Sequence, residues 1–288
     1  MARKTSSKTV KTAAINVYEY ADYALDATGD SLTAMPVIID ATLDEVDHSE
    51  ADPIYTIEAV EEAVSALEAK WTDEAPAADI TLTDLMQQVS RETAQEAARQ
   101  FAAAIDRRAE YERYKALGTA SGENNTIQKT LNSCRAELTR TSVAQMLTAL
   151  GVDPSFINRK GNEGDKLFNV YAIKKLTDVA GGVVAGLFPE NAINNAVIRS
   201  MFNLIDAGYA FDFTAAKAAC SNKIPMDANL RNKMVRHTVA ASTAPTQASS
   251  TMEALEVLGV VNAIGKKNKL YVLRDHSPLT AALRELAA

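Results

Sequence analysis

The sequence predicts a mainly α protein, in which an extended acidic arm precedes a helical domain and a C-terminal module contains a small β-hairpin. Hydrophobic residues make up 47% of the 288 positions, so the chain is able to bury a sizeable core. Aromatic residues amount to 6%, and alanine is abundant in runs such as residues 94–104. This composition favours packed helices over a strand-rich fold.

Residues 1–80 are predicted to form an acidic, partly flexible arm. Positions 19–90 hold 18 acidic residues and one basic residue, Lys70. Within this stretch, residues 57–70 form a predicted amphipathic helix, because Val60, Val64 and Leu67 share one face. A segment of this charge repels nucleic acid and attracts basic surfaces. We expect it to contact a protein or to mask a basic face; a solvated arm that aids solubility is the alternative.

Residues 81–118 are predicted to form one long connecting helix. Apolar side chains recur at helical spacing, with Thr81 or Thr83 as the N-cap and Gly118 as the stop. Charges of both signs alternate along the second half of this stretch. Such a helix is typical either of a coiled-coil or partner surface, or of a helix that packs on its own domain.

Residues 119–226 are predicted to form an all-α domain after a polar linker. The helical patterns cover residues 127–138, 142–150, 167–187, 192–207 and 213–220. Residues 143–160 have the spacing of a helix-turn-helix with Gly151 at the turn, and a plain helical hairpin explains the same pattern.

No constellation of residues in the sequence indicates catalysis. His48, His237 and His276 are scattered, and Cys134 and Cys220 lack the spacing of a metal site or a disulfide framework. The glycine-rich run 181–186 is not followed by the lysine that a phosphate-binding loop requires. The sequence therefore predicts a protein that is not an enzyme and needs no cofactor or metal.

Residues 227–288 read as helix, turn, helix and hairpin. Helices are predicted at 227–241 and 246–258, the second with Thr246 as its N-cap. Two strands then flank the turn Gly265-Lys266-Lys267-Asn268, and a last helix covers residues 277–286. This order resembles the winged helix-turn-helix family, so the resemblance implies a winged-helix-like module at 227–288.

The resemblance implies a set of contacts to double-stranded DNA. In the family, the second helix enters the major groove and the wing touches the phosphate backbone or the minor groove. The residues that correspond are Lys266, Lys267 and Lys269 for phosphates, Arg231, Lys233 and Arg236 for further backbone contacts, and Thr246, Gln247, Ser250 and Thr251 for bases. The second helix departs from this pattern because it contains no lysine or arginine and its outward face has Glu253.

Two functional hypotheses follow from the sequence. The first is a DNA-binding protein in which residues 1–118 mediate protein contacts or self-association. The second is a structural or assembly protein, for example of a viral or other multi-subunit particle, in which the arm and the long helix make oligomer contacts. The longest apolar run, residues 179–188, is too short for a bilayer, so we expect a cytoplasmic protein without a membrane partner.

Overall fold

The computed structural model describes residue 65 and residues 80–117, 125–160, 167–265 and 268–288. The arm predicted for residues 1–80 therefore lies outside the described residues, except for Ser65 and Ile80. Ser65 is helical and exposed. The described part is mainly helical with a small antiparallel sheet, as the composition predicts.

Two helices, not one, occupy the region of the predicted connecting helix. They are α1 (Leu82–Gln88) and α2 (Arg91–Leu117). Thr81 caps α1 in a capping box with Asp84, and the backbone turns extended at Val89. The Ser90 hydroxyl then accepts a hydrogen bond from the Thr93 amide and begins α2. The prediction of one continuous helix was wrong because this second cap interrupts it.

Helix α2 packs on its own domain over most of its length. It lies against α3 (Asn125–Leu138) and α4 (Thr141–Ala149), and Phe101 and Ile105 are fully buried in that contact. The Arg108 guanidinium is buried, where it pairs with Glu112 at 2.8 Å and donates to the Ile157 carbonyl oxygen at 2.8 Å. This pattern is that of a core helix rather than a free connector.

Residues 143–160, which have the spacing of a helix-turn-helix, form a helix followed by a short 3₁₀ helix. Gly151 has a φ of +69° and ends α4, and the 3₁₀ helix covers Pro154–Asn158. Ile157 is fully buried, as both alternatives require. Because the second element has five residues, it is too short to serve as a recognition helix.

Helices α5 (Val170–Val184) and α6 (Ala192–Asp206) form the centre of the fold. Each begins at an asparagine whose side chain accepts from the first amides, Asn169 for α5 and Asn191 for α6. Near the end of α5, a Cβ on Gly181 would meet the carboxylate of Glu137 on α3, and a Cβ on Gly182 would lie 3.1 Å from the Leu187 carbonyl oxygen. The glycine run is therefore a close-packing site at the end of a helix, as the sequence predicts.

A three-stranded antiparallel sheet joins distant parts of the chain. Strand β1 (Phe211–Asp212) precedes α7 (Phe213–Cys220), and strands β2 (Val261–Ile264) and β3 (Leu270–Leu273) form the hairpin. The order is β1-β3-β2, with Phe211 opposite Tyr271 and Ile264 opposite Leu270. The predicted hairpin is confirmed, and β1 was not anticipated.

The helix predicted at 227–241 is much shorter in the structure. It is α8 (Ala228–Lys233), capped by Asp227, after which the chain continues without regular structure. The backbone groups beyond it bond to neighbouring elements: the His237 and Val239 amides donate to the carbonyl oxygens of Ala219 and Cys220. These tertiary hydrogen bonds replace those of a longer helix.

Helix α9 (Ala244–Val257) lies between α5, α6 and α7, and α10 (Pro278–Ala287) closes the described chain. Pro245 occupies the first turn of α9, so the helix starts before the predicted N-cap Thr246. Ala248, Met252, Leu255 and Leu258 are buried, as the helical wheel predicts. They belong to one hydrophobic core that also includes residues of α2 to α7.

Candidate nucleic-acid interface

The turn end of the hairpin is held against the start of α7. The Phe213 amide donates to the Lys269 carbonyl oxygen at 2.9 Å. The Asn268 side chain bridges Asp212 and Thr214, with a distance of 3.4 Å to each. Asp212 also accepts from the Ala215 amide at 2.7 Å and so caps α7. The second strand of the hairpin is thus held at a defined place on the helical body.

Residues 265–269 connect the two strands of this hairpin, because Ile264 and Leu270 are paired across the ladder. Gly265 has a φ of +86°, a conformation that glycine adopts without strain. Lys269 is half-buried and directly precedes β3. Lys266 and Lys267, the other two predicted phosphate contacts, lie outside the described residues.

The second group of predicted cations lies on α8, which contains Arg231 and Lys233, and on the irregular segment after it, which contains Arg236. Arg231 donates to the carbonyl oxygens of Asn222 and Ile224, so its guanidinium is engaged in holding its own loop. Lys233 is exposed, with its ammonium 5.9 Å from the centre of the Tyr209 ring. Arg236 is exposed. Of these three predicted contacts, Lys233 and Arg236 are therefore accessible to a ligand.

The residues predicted to approach bases do not form an accessible set. Ser250 and Thr251 are each 1% exposed. The Asn169 amide donates to the Ser250 hydroxyl at 3.1 Å, and the Thr251 hydroxyl donates to Asn194 at 3.1 Å. Thr246 is exposed and Gln247 is half-buried. The assignment of Ser250 and Thr251 to base contacts is corrected, because α5 and α6 cover the face on which they lie.

The edge of α9 that remains accessible is acidic. It contains the exposed Thr246 and Glu256 and the half-buried Ser249 and Glu253. Burial raises the pKa of the Glu253 carboxyl, although a hydrogen bond from the Ser249 hydroxyl at 2.9 Å opposes this effect. An edge with two carboxyl groups is unfavourable for contact with phosphates.

A buried polar network joins α5, α6 and α9, and the sequence did not reveal it. The Lys175 ammonium, in a residue that is 6% exposed, donates to the Asn191 side chain at 2.7 Å. The Asn194 amide donates to Asp178 at 2.7 Å and accepts from Thr251. Burial lowers the pKa of Lys175 to about 8, and burial raises the pKa of Asp178. The network fixes the faces that these helices present to one another.

Lys175 predicts a specific pH dependence of stability. The unfolded chain keeps the lysine proton up to its ordinary pKa of 10.5, whereas the folded chain releases it near pH 8. Between these values the unfolded state binds more protons, so the free energy of unfolding rises with pH. Relative to a Lys175→Met variant, the wild type should gain on the order of 3 kcal/mol over this interval. Urea unfolding of both proteins across the interval measures the gain, and a constant difference would contradict it.

An open groove of about 670 Å³ lies between α2 and the turn after α4. Three of its carboxylates are Glu92, Glu96 and Asp153, and hydrogen bonds lower the pKa of each. The largest cause for Glu96 is its bond from Arg99. A general acid needs a raised pKa instead, so these groups are ordinary ionised side chains at neutral pH.

Among the described residues, no group of three or more His, Cys, Asp or Glu side chains is arranged to hold a metal ion. Within the same part of the chain, none of the helices has the length and apolarity needed to cross a bilayer.

The chain matches no protein-family model, no curated protein and no solved structure.

Proposed function

We propose that the chain is a non-enzymatic nucleic-acid-binding protein that holds the phosphate backbone of duplex DNA through the lysines of the β2–β3 connection. The observation that supports this function is the paired hairpin itself. Its strands flank a connection with Lys266, Lys267 and Lys269, and its second strand is fastened to α7. Clustered lysines on an anchored hairpin suit a polyanion, because backbone neutralisation supplies most non-specific affinity.

The arrangement of elements favours a winged-helix reading of this region. The hairpin follows α9 and pairs with a strand that immediately precedes α7. In this reading α7 is the first helix of the pair, in place of the predicted helix at 227–241, and α9 is the second. Residues 221–243 are then a long insertion at the place where a short turn is usual. Lys233 and Arg236 within this insertion then add two accessible cations.

The proposed binding is independent of base sequence. Direct readout requires side chains that reach base edges in the major groove. Ser250 and Thr251 are buried, and the accessible edge of α9 has Glu253 and Glu256. Contacts to the backbone alone position a protein on DNA but discriminate little between sequences.

A triple substitution tests the proposal. Replacing Lys266, Lys267 and Lys269 by alanine in the full chain should weaken binding to a fluorescent duplex on the order of tenfold, and should reduce the salt slope by up to about three. Fluorescence anisotropy over a series of salt concentrations measures both. The matched control replaces the exposed cations Arg91, Lys129 and Lys174 by alanine, which removes the same charge from α2, α3 and α5.

The proposal fails if both triple variants bind alike, because the effect would then reflect net charge rather than the hairpin.

A comparison of two duplexes of unrelated sequence tests the lack of base readout. Their affinities should agree within about a factor of ten, whereas a ratio above about a thousand is typical of specific recognition and would contradict the proposed mode.

A structural or assembly role is the second candidate, and one observation favours it. At the end of α2, Tyr114 is 76% exposed and Leu117 is 84% exposed. Large apolar side chains grouped on a surface often mark a contact with another protein or segment. Light scattering on the full chain and on a variant lacking residues 1–80 tests this role, and an unaltered oligomeric mass would count against it.

A further inference from the structure

The accessible edge of α9 lies between the start of α5 and the hairpin. On one side, the Asn169 amide donates to the Ser250 hydroxyl at 3.1 Å and holds the start of α5 against α9. On the other side, burial and then the charges of Glu256 and Glu253 raise the pKa of Tyr271 in β3. Ser250 and Glu256 fall on opposite sides of Glu253 on a helical wheel. Glu253 therefore lies between the two flanking elements.

Arg159 lies on the α5 side of this edge. The Phe168 amide donates to the Arg159 carbonyl oxygen at 2.9 Å, which places Arg159 beside the residue that precedes Asn169. The Arg159 guanidinium lies 5.8 Å from the centre of the Phe168 ring. Phe168 is buried, whereas Arg159 is exposed. The guanidinium is thus oriented by a fixed ring and is accessible to a ligand.

The Glu253 carboxylate attracts cations from both sides of the edge. Burial raises the pKa of this carboxyl, whereas the Ser249 hydrogen bond and the charges of Lys269 and Arg159 act in the opposite direction. Glu256, exposed on the next turn of α9, acts on it as a like charge. Lys269 comes from the hairpin and Arg159 from the segment before α5. Two cations from distant parts of the chain therefore share one half-buried anion.

We propose that Arg159 is a further phosphate contact, on the opposite side of α9 from the hairpin, and that the Glu253 carboxylate competes with DNA phosphates for Arg159 and Lys269. This inference rests on the proposed function, because it extends the same duplex-binding surface. A phosphate at this edge meets two cations that the carboxylate also attracts. Neutralising the carboxylate removes a like charge and leaves both cations to the phosphates, so duplex binding becomes stronger.

Substitution of Arg159 in the full chain tests the contact. Arg159→Ala should weaken binding to the fluorescent duplex about threefold and lower the salt slope by about one. Arg159→Lys should keep the slope, because it retains the charge. The matched control is Arg91→Ala, which removes an exposed arginine at the start of α2 and should leave the slope unchanged. An Arg159→Ala slope equal to that of the wild type would overturn the contact.

Glu253→Gln tests the competition. This variant should bind the duplex about fivefold more tightly than the wild type at neutral pH. The gain should fall to about twofold when Arg159→Ala is also present, because the carboxylate then competes for one cation fewer. The matched control Glu256→Gln removes the same charge from the same helix, and its gain should be equal with and without Arg159→Ala. A Glu253→Gln gain that Arg159→Ala does not change would overturn the competition.

The competition also predicts how duplex binding depends on pH. Burial raises the pKa of Glu253, so this carboxyl takes up its proton while the pH is still above its ordinary value of 4.5. As the pH falls from neutral toward that value, the affinity of the wild type should approach that of Glu253→Gln. The three histidines are present in both proteins, so the ratio of the two affinities isolates Glu253. A ratio that stays constant over this interval would contradict the competition.

These outcomes differ from a failure of the proposed function itself. If neither the wild type nor Glu253→Gln binds the duplex, the proposed function and this inference are both overturned. If the wild type binds the duplex and loses affinity when the three hairpin lysines are replaced, the proposed function stands. Unchanged salt slopes in Arg159→Ala would then overturn this inference alone.

Discussion

The Ser250→Arg variant is expected to lose on the order of 3–5 kcal/mol of the free energy of unfolding. Ser250 is 1% exposed and accepts a hydrogen bond from Asn169. An arginine there would place an unpaired charge between α9 and α5 and would leave the Asn169 amide without its acceptor. Urea unfolding followed by circular dichroism measures the loss.

This substitution also tests whether the face of α9 that contains Ser250 is buried against α5 or open toward DNA. If the face with Ser250 were open toward a DNA groove, an added arginine would leave stability unchanged and would strengthen duplex binding. The matched control is Thr246→Arg on the same helix, at an exposed position. It should change the free energy of unfolding by no more than about 0.5 kcal/mol. A Ser250→Arg protein as stable as this control would contradict the buried position of the helix.

The Phe211→Ala variant is expected to lose about 3–5 kcal/mol of the free energy of unfolding. Phe211 is fully buried, and its ring lies 6.4 Å from that of Tyr271 on the paired strand. Removing it leaves a cavity beneath β3 at the point where the hairpin joins the helical body. The loss should appear in chemical unfolding, and hydrogen exchange should be faster at the amides of β3.

The neighbouring Phe213 provides the control for this effect. It is half-buried at the start of α7, where the Lys217 ammonium lies 5.1 Å from its ring centre. Because less of the side chain is buried, Phe213→Ala should cost clearly less than Phe211→Ala. Equal losses in the two variants would contradict the anchoring role of β1.

Most helices were predictable because their signals are local. Periodic apolar positions predicted α3 to α7 closely, and the capping residues Asn191, Asp212 and Asp227 stand where those helices and α8 begin. The hairpin was predictable for the same reason, since a glycine and polar residues separate two short β-rich runs. All of these signals depend on residues within about one turn of one another.

Two elements that the sequence did not predict correctly, the short α8 and strand β1, both depend on contacts between distant residues. The chain leaves the helical conformation after Lys233 because the backbone of residues 235–239 bonds to other elements, including the Ser200 hydroxyl, which donates to the Val235 carbonyl oxygen at 2.8 Å. Strand β1 has two residues and forms only because β3 lies beside it. Neither feature has a periodicity that a single sequence could display.

The amino-acid order alone determined the helical class, the bounds of most helices, the hairpin and the clustering of acidic residues before residue 90. These features depend on helix propensity, capping residues and charge, which act over a few neighbouring residues. Tertiary packing decided which helix faces remain accessible. Serine and threonine on α9 have the polarity of a ligand-binding face, yet their partners Asn169 and Asn194 lie 81 and 57 positions away. Burial of a polar side chain depends on such distant partners, since only a specific hydrogen bond makes it tolerable.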